Sequence, residues 1–99
     1  MNITETRNDD IIILKIDGRV DTNTSPQLQD QILKSFQKVN SLVLDFQDCA
    51  YVSSAGLRAL LIGQKTASSK KGAMKLINVP EVLMSVLEMT GFVNILTIE

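Results

Sequence analysis

Asp45-Phe46-Gln47-Asp48-Cys49-Ala50-Tyr51-Val52-Ser53-Ser54-Ala55-Gly56-Leu57-Arg58-Ala59-Leu60-Leu61 runs from an apolar strand, through a short loop, into a helix that opens on two serines and a glycine. Ser41 to Phe46 is nearly continuous in apolar residues, the pattern of a strand buried in a parallel sheet. After the loop, Leu57, Leu60, Leu61 and Ala67 recur at helical spacing. A strand that hands over to a helix in this way is half of a strand–helix–strand unit. A hydroxyl at the start of such a helix faces unpaired backbone N–H groups and the positive end of the helix dipole. That setting tolerates an added phosphate and presents it to another protein, so the segment is a candidate switch.

The flanking sequence extends the same alternation. Upstream, Ile3 to Thr6 alternates as a short edge strand, Asn8-Asp9-Asp10 is turn chemistry, and Ile11 to Ile16 is β-branched. The two strands are expected to form an antiparallel hairpin, which Gly18 then breaks. Ser25 as N-cap and Pro26 at the first helical position start a helix predicted over Pro26 to Lys38, with Leu28, Ile32, Leu33, Phe36 and Val39 on one face. The second helix is predicted over Ser54 to Ser69 and is stopped by Lys70-Lys71-Gly72. A strand over Ala73 to Val79 follows. A helix over Pro80 to Thr90 is expected to turn Val82, Leu83, Val86, Leu87 and Thr90 inward, and Val93 to Ile98 reads as the last strand. The order is ββαβαβαβ. Right-handed crossovers make the later strands parallel. The expected fold class is α/β, a mixed, mainly parallel sheet packed against helices.

Bulk properties narrow the function. With 99 residues the chain reads as one domain over residues 1–99, enough to bury about two thirds of its unfolded surface. A hydrophobic content of 44% against 21% charged is an ordinary globular balance that argues against disorder. A net charge of −1 leaves no electrostatic footprint for nucleic acid or an anionic membrane, so neither is an expected partner. No apolar run approaches the roughly 18 residues of a membrane span, and Met1 to Glu5 is not a signal peptide. Cys49 is the only cysteine, which excludes a disulfide framework and makes the reducing cytoplasm the expected location. The absence of histidine removes Ser-His-Asp and Cys-His machinery and most zinc sites. No catalytic residue, metal or cofactor is expected. A binding or switching module is favoured over an enzyme.

Two stretches carry a family resemblance. Within the segment that begins at Asp45, Tyr51-Val52-Ser53-Ser54-Ala55-Gly56-Leu57-Arg58 resembles the signature loop of the STAS domain, as found in bacterial anti-sigma factor antagonists. Upstream, Asp17-Gly18-Arg19-Val20-Asp21-Thr22 is similar to the family's Gly-x-Leu/Val-Asp turn. The resemblance covers nearly the whole chain. It implies that a serine in the loop is phosphorylated by the partner, an anti-sigma factor that is also a serine protein kinase, and that a serine phosphatase resets it. It further implies that Asp21 and Thr22 lie beside the serine loop and share in the partner-binding face with Ser53, Ser54, Ala55, Gly56 and Arg58. The family's best-known form is Asp-Ser-Ser-Gly-Leu, with the modified serine directly before the glycine. Here Ala55 stands in that place and Ser53 stands where the aspartate would be. Ser54 is the favoured phosphorylation site, with Ser53 second. The alternative is a constitutive interaction subunit of a transporter or signalling assembly, with no phosphoryl switch.

Each of these residues also has a plain reading. One serine can serve as an N-cap worth about 1 kcal/mol. Gly56 can relieve crowding against a neighbouring strand or admit a partner surface. Leu57 reads as core. Arg58 is either a solvated charge or, one turn from Ser54, a bidentate phosphate holder. Asp21 can open a turn that Thr22 or Thr24 completes at the helix cap. Asp45 and Asp48 lack a third ligand signal and read as turn residues rather than metal ligands. Cys49 reads as a small packed hydrophobe, and Lys65, Lys70 and Lys71 as a helix-end charge cluster.

Overall fold

A computed structural model describes all residues, Met1–Glu99. Strands β1 (Asn2–Asn8) and β2 (Ile11–Val20) form the antiparallel hairpin, turning at Asp9, whose φ is +55°. Helix α1 (Ser25–Phe36) leads to β3 (Ser41–Asp45) and then to β4 (Cys49–Val52). Helix α2 (Ser54–Ser69), β5 (Ala73–Ile77), α3 (Glu81–Thr90) and β6 (Thr97–Ile98) complete the chain. The sheet order is β1-β2-β3-β5-β6, with every pairing after the hairpin parallel. This is the mixed, mainly parallel α/β sheet expected. None of the helices is long and apolar enough to cross a membrane.

One cluster of buried side chains unites the layers. Ile12, Leu14 and Ile16 of β2, Leu42 and Leu44 of β3, and Met74 and Leu76 of β5 alternate onto the same sheet face. Leu28, Ile32 and Phe36 of α1, Leu57 and Leu60 of α2, and Leu83 and Leu87 of α3 pack on them. The opposite face is more polar: Lys15 pairs with Asp48 at 3.1 Å and Lys75 with Glu99 at 3.3 Å. Lys70, from the expected charge cluster, donates to the carbonyl oxygens of Val39, at 3.1 Å, and Phe36. It thereby closes the C-terminal end of α1, where a cation meets the negative end of the dipole.

Five local expectations are corrected. Gly18 does not end β2; with φ at +110° it bends the strand, and the register shifts between Gly18 and Arg19. A glycine in that conformation is the usual seat of a bulge. The bend lets β2 pair in parallel with Cys49–Val52, so the supposed loop holds a strand, β4. The cap of α1 is Thr24, one residue before the expected Ser25, and Ser25 is buried in the first turn. The last strand shrinks to Thr97–Ile98 because Phe92–Asn94 forms a 3-10 turn, in which the Ile95 and Leu96 N–H groups both donate to Phe92 O. On α3, Val82 is 77% exposed and Thr90 is exposed, so the inward stripe is narrowed to Leu83 and Leu87 with Val86 on its flank.

Candidate functional site

The β2–β4 pairing builds the site. Val20 lies beside Val52 at the last rung of this ladder, and Ser53 N–H donates to Val20 O at 2.8 Å. The residues that leave the two strands, Asp21 and Ser53, therefore emerge side by side at the carboxyl ends of parallel strands. That edge is where open α/β sheets present their binding residues.

The two serines have separate tasks. Ser53 has extended backbone angles, φ −82° and ψ 176°, and its Oγ accepts from Gly56 N–H at 3.3 Å. Ser53 is the N-cap, satisfying one of the four free N–H groups that open any helix. Ser54 is the first helical residue and is exposed, and its hydroxyl makes no hydrogen bond within the molecule. It stands at the positive end of a 16-residue helix with a free oxygen.

Gly56 is buried, and a Cβ there would lie 2.7 Å from Val52 Cγ1 and 2.8 Å from Val20 Cγ1. Its missing side chain faces the two strands, so the close approach it permits is that of α2 to β2 and β4. Leu57 is buried as expected. Ala55 and Arg58 line one side of an open groove of about 500 Å³, with Ser25, Pro26, Gln29 and Leu33 across it. Arg58 is exposed, one helical turn beyond Ser54, and forms no ion pair.

The Asp21 loop is held by its own side chains. Asp21 Oδ1 accepts from the N–H of Asn23 at 2.9 Å and of Thr24 at 3.0 Å. Asp21 N–H donates to Thr24 Oγ1 at 2.8 Å, and that hydroxyl donates to Arg19 O at 2.9 Å. The Thr24 N–H above all, then the Asn23 N–H, the Thr24 hydroxyl and the charge of Arg19, hold the Asp21 carboxyl below its usual 3.8, against a cost of desolvation. The fixed carboxylate orders the turn that starts α1. Thr22 is exposed at its tip and Thr24 ties the loop back to β2.

The other candidates are engaged in structure. Asp45 Oδ1 accepts from Gln47 N–H at 3.0 Å and from Asn78 Nδ2 at 3.1 Å, while Asp48 pairs with Lys15. Cys49 is buried, and that burial pushes its thiol up from 9.0. Arg19 and Tyr51 were not singled out by the sequence. Their ladder position sets the guanidinium 4.4 Å from the centroid of the Tyr51 ring. The available signal was an arginine in the strand-end turn and a tyrosine just before the serines, but without β4 nothing pairs them.

As chemistry, the site offers a free hydroxyl, an ordered carboxylate loop, a shallow groove and an unpaired guanidinium. Those are the parts of a recognition surface. The sequence is 26% identical over 98 residues to the anti-sigma-B factor antagonist of Bacillus subtilis, covering 99% of this chain and 90% of that protein. In fold it is similar to an anti-sigma factor antagonist from Mycobacterium paratuberculosis, with a TM-score of 0.86 at 17% identity over 98% of this chain and 83% of that one. It is also similar to the phosphorylated form of SpoIIAA, a Bacillus cell fate determinant, with a TM-score of 0.78 at 16% identity over 99% and 91% of the two chains. The sequence model of the STAS domain matches residues 2–99, and this chain belongs to the STAS domain family.

Proposed function

We propose that this protein is an anti-sigma factor antagonist that binds an anti-sigma factor with serine-kinase activity and is switched off by phosphorylation of Ser54. The observation that carries this reading is the division of labour between the serines. Ser53 is occupied as the cap, whereas Ser54 is exposed with a free hydroxyl. Ser53 is the second candidate for modification. The partner-binding face would comprise Ser53, Ser54, Ala55 and Arg58 together with Asp21 and Thr22, with Gly56 holding the start of α2 against the strands from behind.

In the reaction, Ser54 Oγ attacks the γ-phosphorus of ATP held by the partner, the bond to the ADP oxygen breaks, and the seryl proton passes to a base of the kinase. The product carries about −1.5 to −2 charges where a neutral hydroxyl stood. A partner surface shaped around that neutral hydroxyl would have to accommodate and desolvate the dianion, so affinity falls. Arg58, one turn away, would pair with the phosphate and so be withdrawn from the partner. A serine phosphatase would restore the free form by hydrolysis.

The test is intact-mass analysis of the protein purified from its native host, followed by residue mapping. A single phosphate on Ser54 is the expected result. Phosphate on Ser53 would move the switch by one residue. Absence of phosphate in cells whose antagonist-dependent transcription is off would overturn the switch and favour the constitutive interaction subunit, the reading that Ala55 in the usual serine's place supports.

A further inference from the structure

A second surface lies between β4 and α3, apart from the groove beside Ser54. Tyr51 is 44% exposed on β4, and on α3 Val82 and Met89 are 77% and 85% exposed. Val82, Val86 and Met89 recur at i, i+4 and i+7, so they run along one face of the helix. Between the two elements is an apolar cleft of about 140 Å³, walled by Tyr51, Val52, Pro80, Val82, Leu83 and Val86. Strand β4 pairs only with β2, so no strand covers it on its other side. Arg19 lies over the ring of Tyr51, one wall of the cleft, and forms no ion pair, although its charge reaches the Asp21 carboxylate.

We propose that this cleft docks a segment of a partner protein that inserts one apolar side chain of leucine, isoleucine or methionine size and places a carboxylate beside it against Arg19. The volume matches what a single benzene-sized apolar group fills. A polar anchor would find no hydrogen-bond partners on such walls. The stacked Tyr51 and Arg19 are the residue types that dominate binding energy at interfaces, and stacking holds them in place before contact. The unpaired guanidinium selects a carboxylate, which it can hold bidentately. Glu81, exposed next to Val82 on α3, disfavours a second acid at the helix side of the cleft. A two-fold pairing of this face with itself is disfavoured, because it would bring a second Arg19 to the same place. This docking does not rest on the phosphoryl switch, and its test leaves Ser54 untouched.

The experiment is an amide NMR titration of the full chain with three capped peptides: Gly-Thr-Leu-Asp-Thr-Gly, the same peptide with Lys for Asp, and the same with Gly for Leu. The acidic peptide should shift resonances at Cys49–Val52 and Val82–Val86. The lysine peptide should bind severalfold more weakly, and the glycine peptide should leave these resonances unmoved. Arg19→Glu should reverse the order of the first two. Val82→Glu, at a position exposed enough to leave the fold intact, should weaken binding about tenfold, the loss expected for one valine's burial. Three results would overturn the proposal: no shift at these residues, equal binding of the acidic and basic peptides, or peptide-free shifts that grow with protein concentration. The last would give the cleft to a second copy.

Discussion

At the residue scale, adjacent serines differ because only one has a bonded oxygen. Ser53 Oγ receives the Gly56 N–H, whereas Ser54 has no side-chain partner. Ser53→Ala should therefore cost about 0.5–2 kcal/mol of stability, and Ser54→Ala should change it by less than about 0.5 kcal/mol, as at an ordinary surface position. Urea melts of the two variants check this directly, and equal losses would show that the cap is shared. Asp21 gives a pH test. Its carboxyl is held below 3.8 chiefly by the Thr24 N–H, so the folded state favours the charged form. The stabilisation is present above the unfolded value and is lost as pH falls through the lower folded value. Asp21→Ala should thus destabilise the protein at neutral pH, and the gap in melting temperature from the wild type should narrow as pH falls below 3.8. A gap that stays constant as pH falls well below 3.8 would show that the carboxylate's charge does not contribute.

At the scale of elements, the hairpin, the three helices and strands β3 and β5 were legible because each has a strong local period and clear end signals. Strand β4 was not. Of its four residues only Tyr51 and Val52 are strand formers, too short a run to show a period, and β4 exists because the Gly18 bend offers β2 as a partner there, a long-range effect that local preference does not reveal. The same miss hid the Arg19–Tyr51 stack. It also hid why Asp21 and Ser53 adjoin, a neighbourhood that only the family resemblance had implied. The last strand failed in the opposite way: Val93 and Ile95 alternate like a strand, but Gly91, with φ at +80°, turns the chain into a 3-10 turn first. Gly56 tests the joint between β4 and α2. Gly56→Ala would gain intrinsic helix propensity of about 1 kcal/mol. Its Cβ, however, would press on Val52 and Val20, a clash that costs about 1–3 kcal/mol in a packed interior. Net destabilisation is expected, with amide shifts concentrated at Val20 and Val52–Leu57. A stabilised variant would show that α2 can lift off the strands without penalty.

At the scale of the whole molecule, the helices and the even-numbered faces of the strands form a single core, and Ser54 sits at its edge with no part in it. A change at Ser54 can therefore alter binding without altering the fold, which is the property a switch needs. Ser54→Asp adds a negative charge at the first turn of α2, where the dipole favours it by about 0.3–1 kcal/mol. Stability should hold or rise slightly. The same charge would stand inside the proposed interface against a surface shaped for a neutral hydroxyl and would draw Arg58 away from the partner, so association with a kinase partner should weaken by several kcal/mol. Ser54→Ala should bind like the unmodified protein and no longer respond to ATP. Ser53→Asp supplies the control, since aspartate caps a helix as well as serine and places its charge one residue earlier. Thermal melts beside titration calorimetry against the partner separate the outcomes. If Ser54→Asp melts no lower than wild type yet binds much more weakly, the hydroxyl is a switch independent of the fold. If Ser53→Asp alone loses binding, the capping serine is the modified one. Should both aspartate variants bind as tightly as wild type, the face around Ser54 is not the partner's, and the cleft beside Tyr51 becomes the surface to test first.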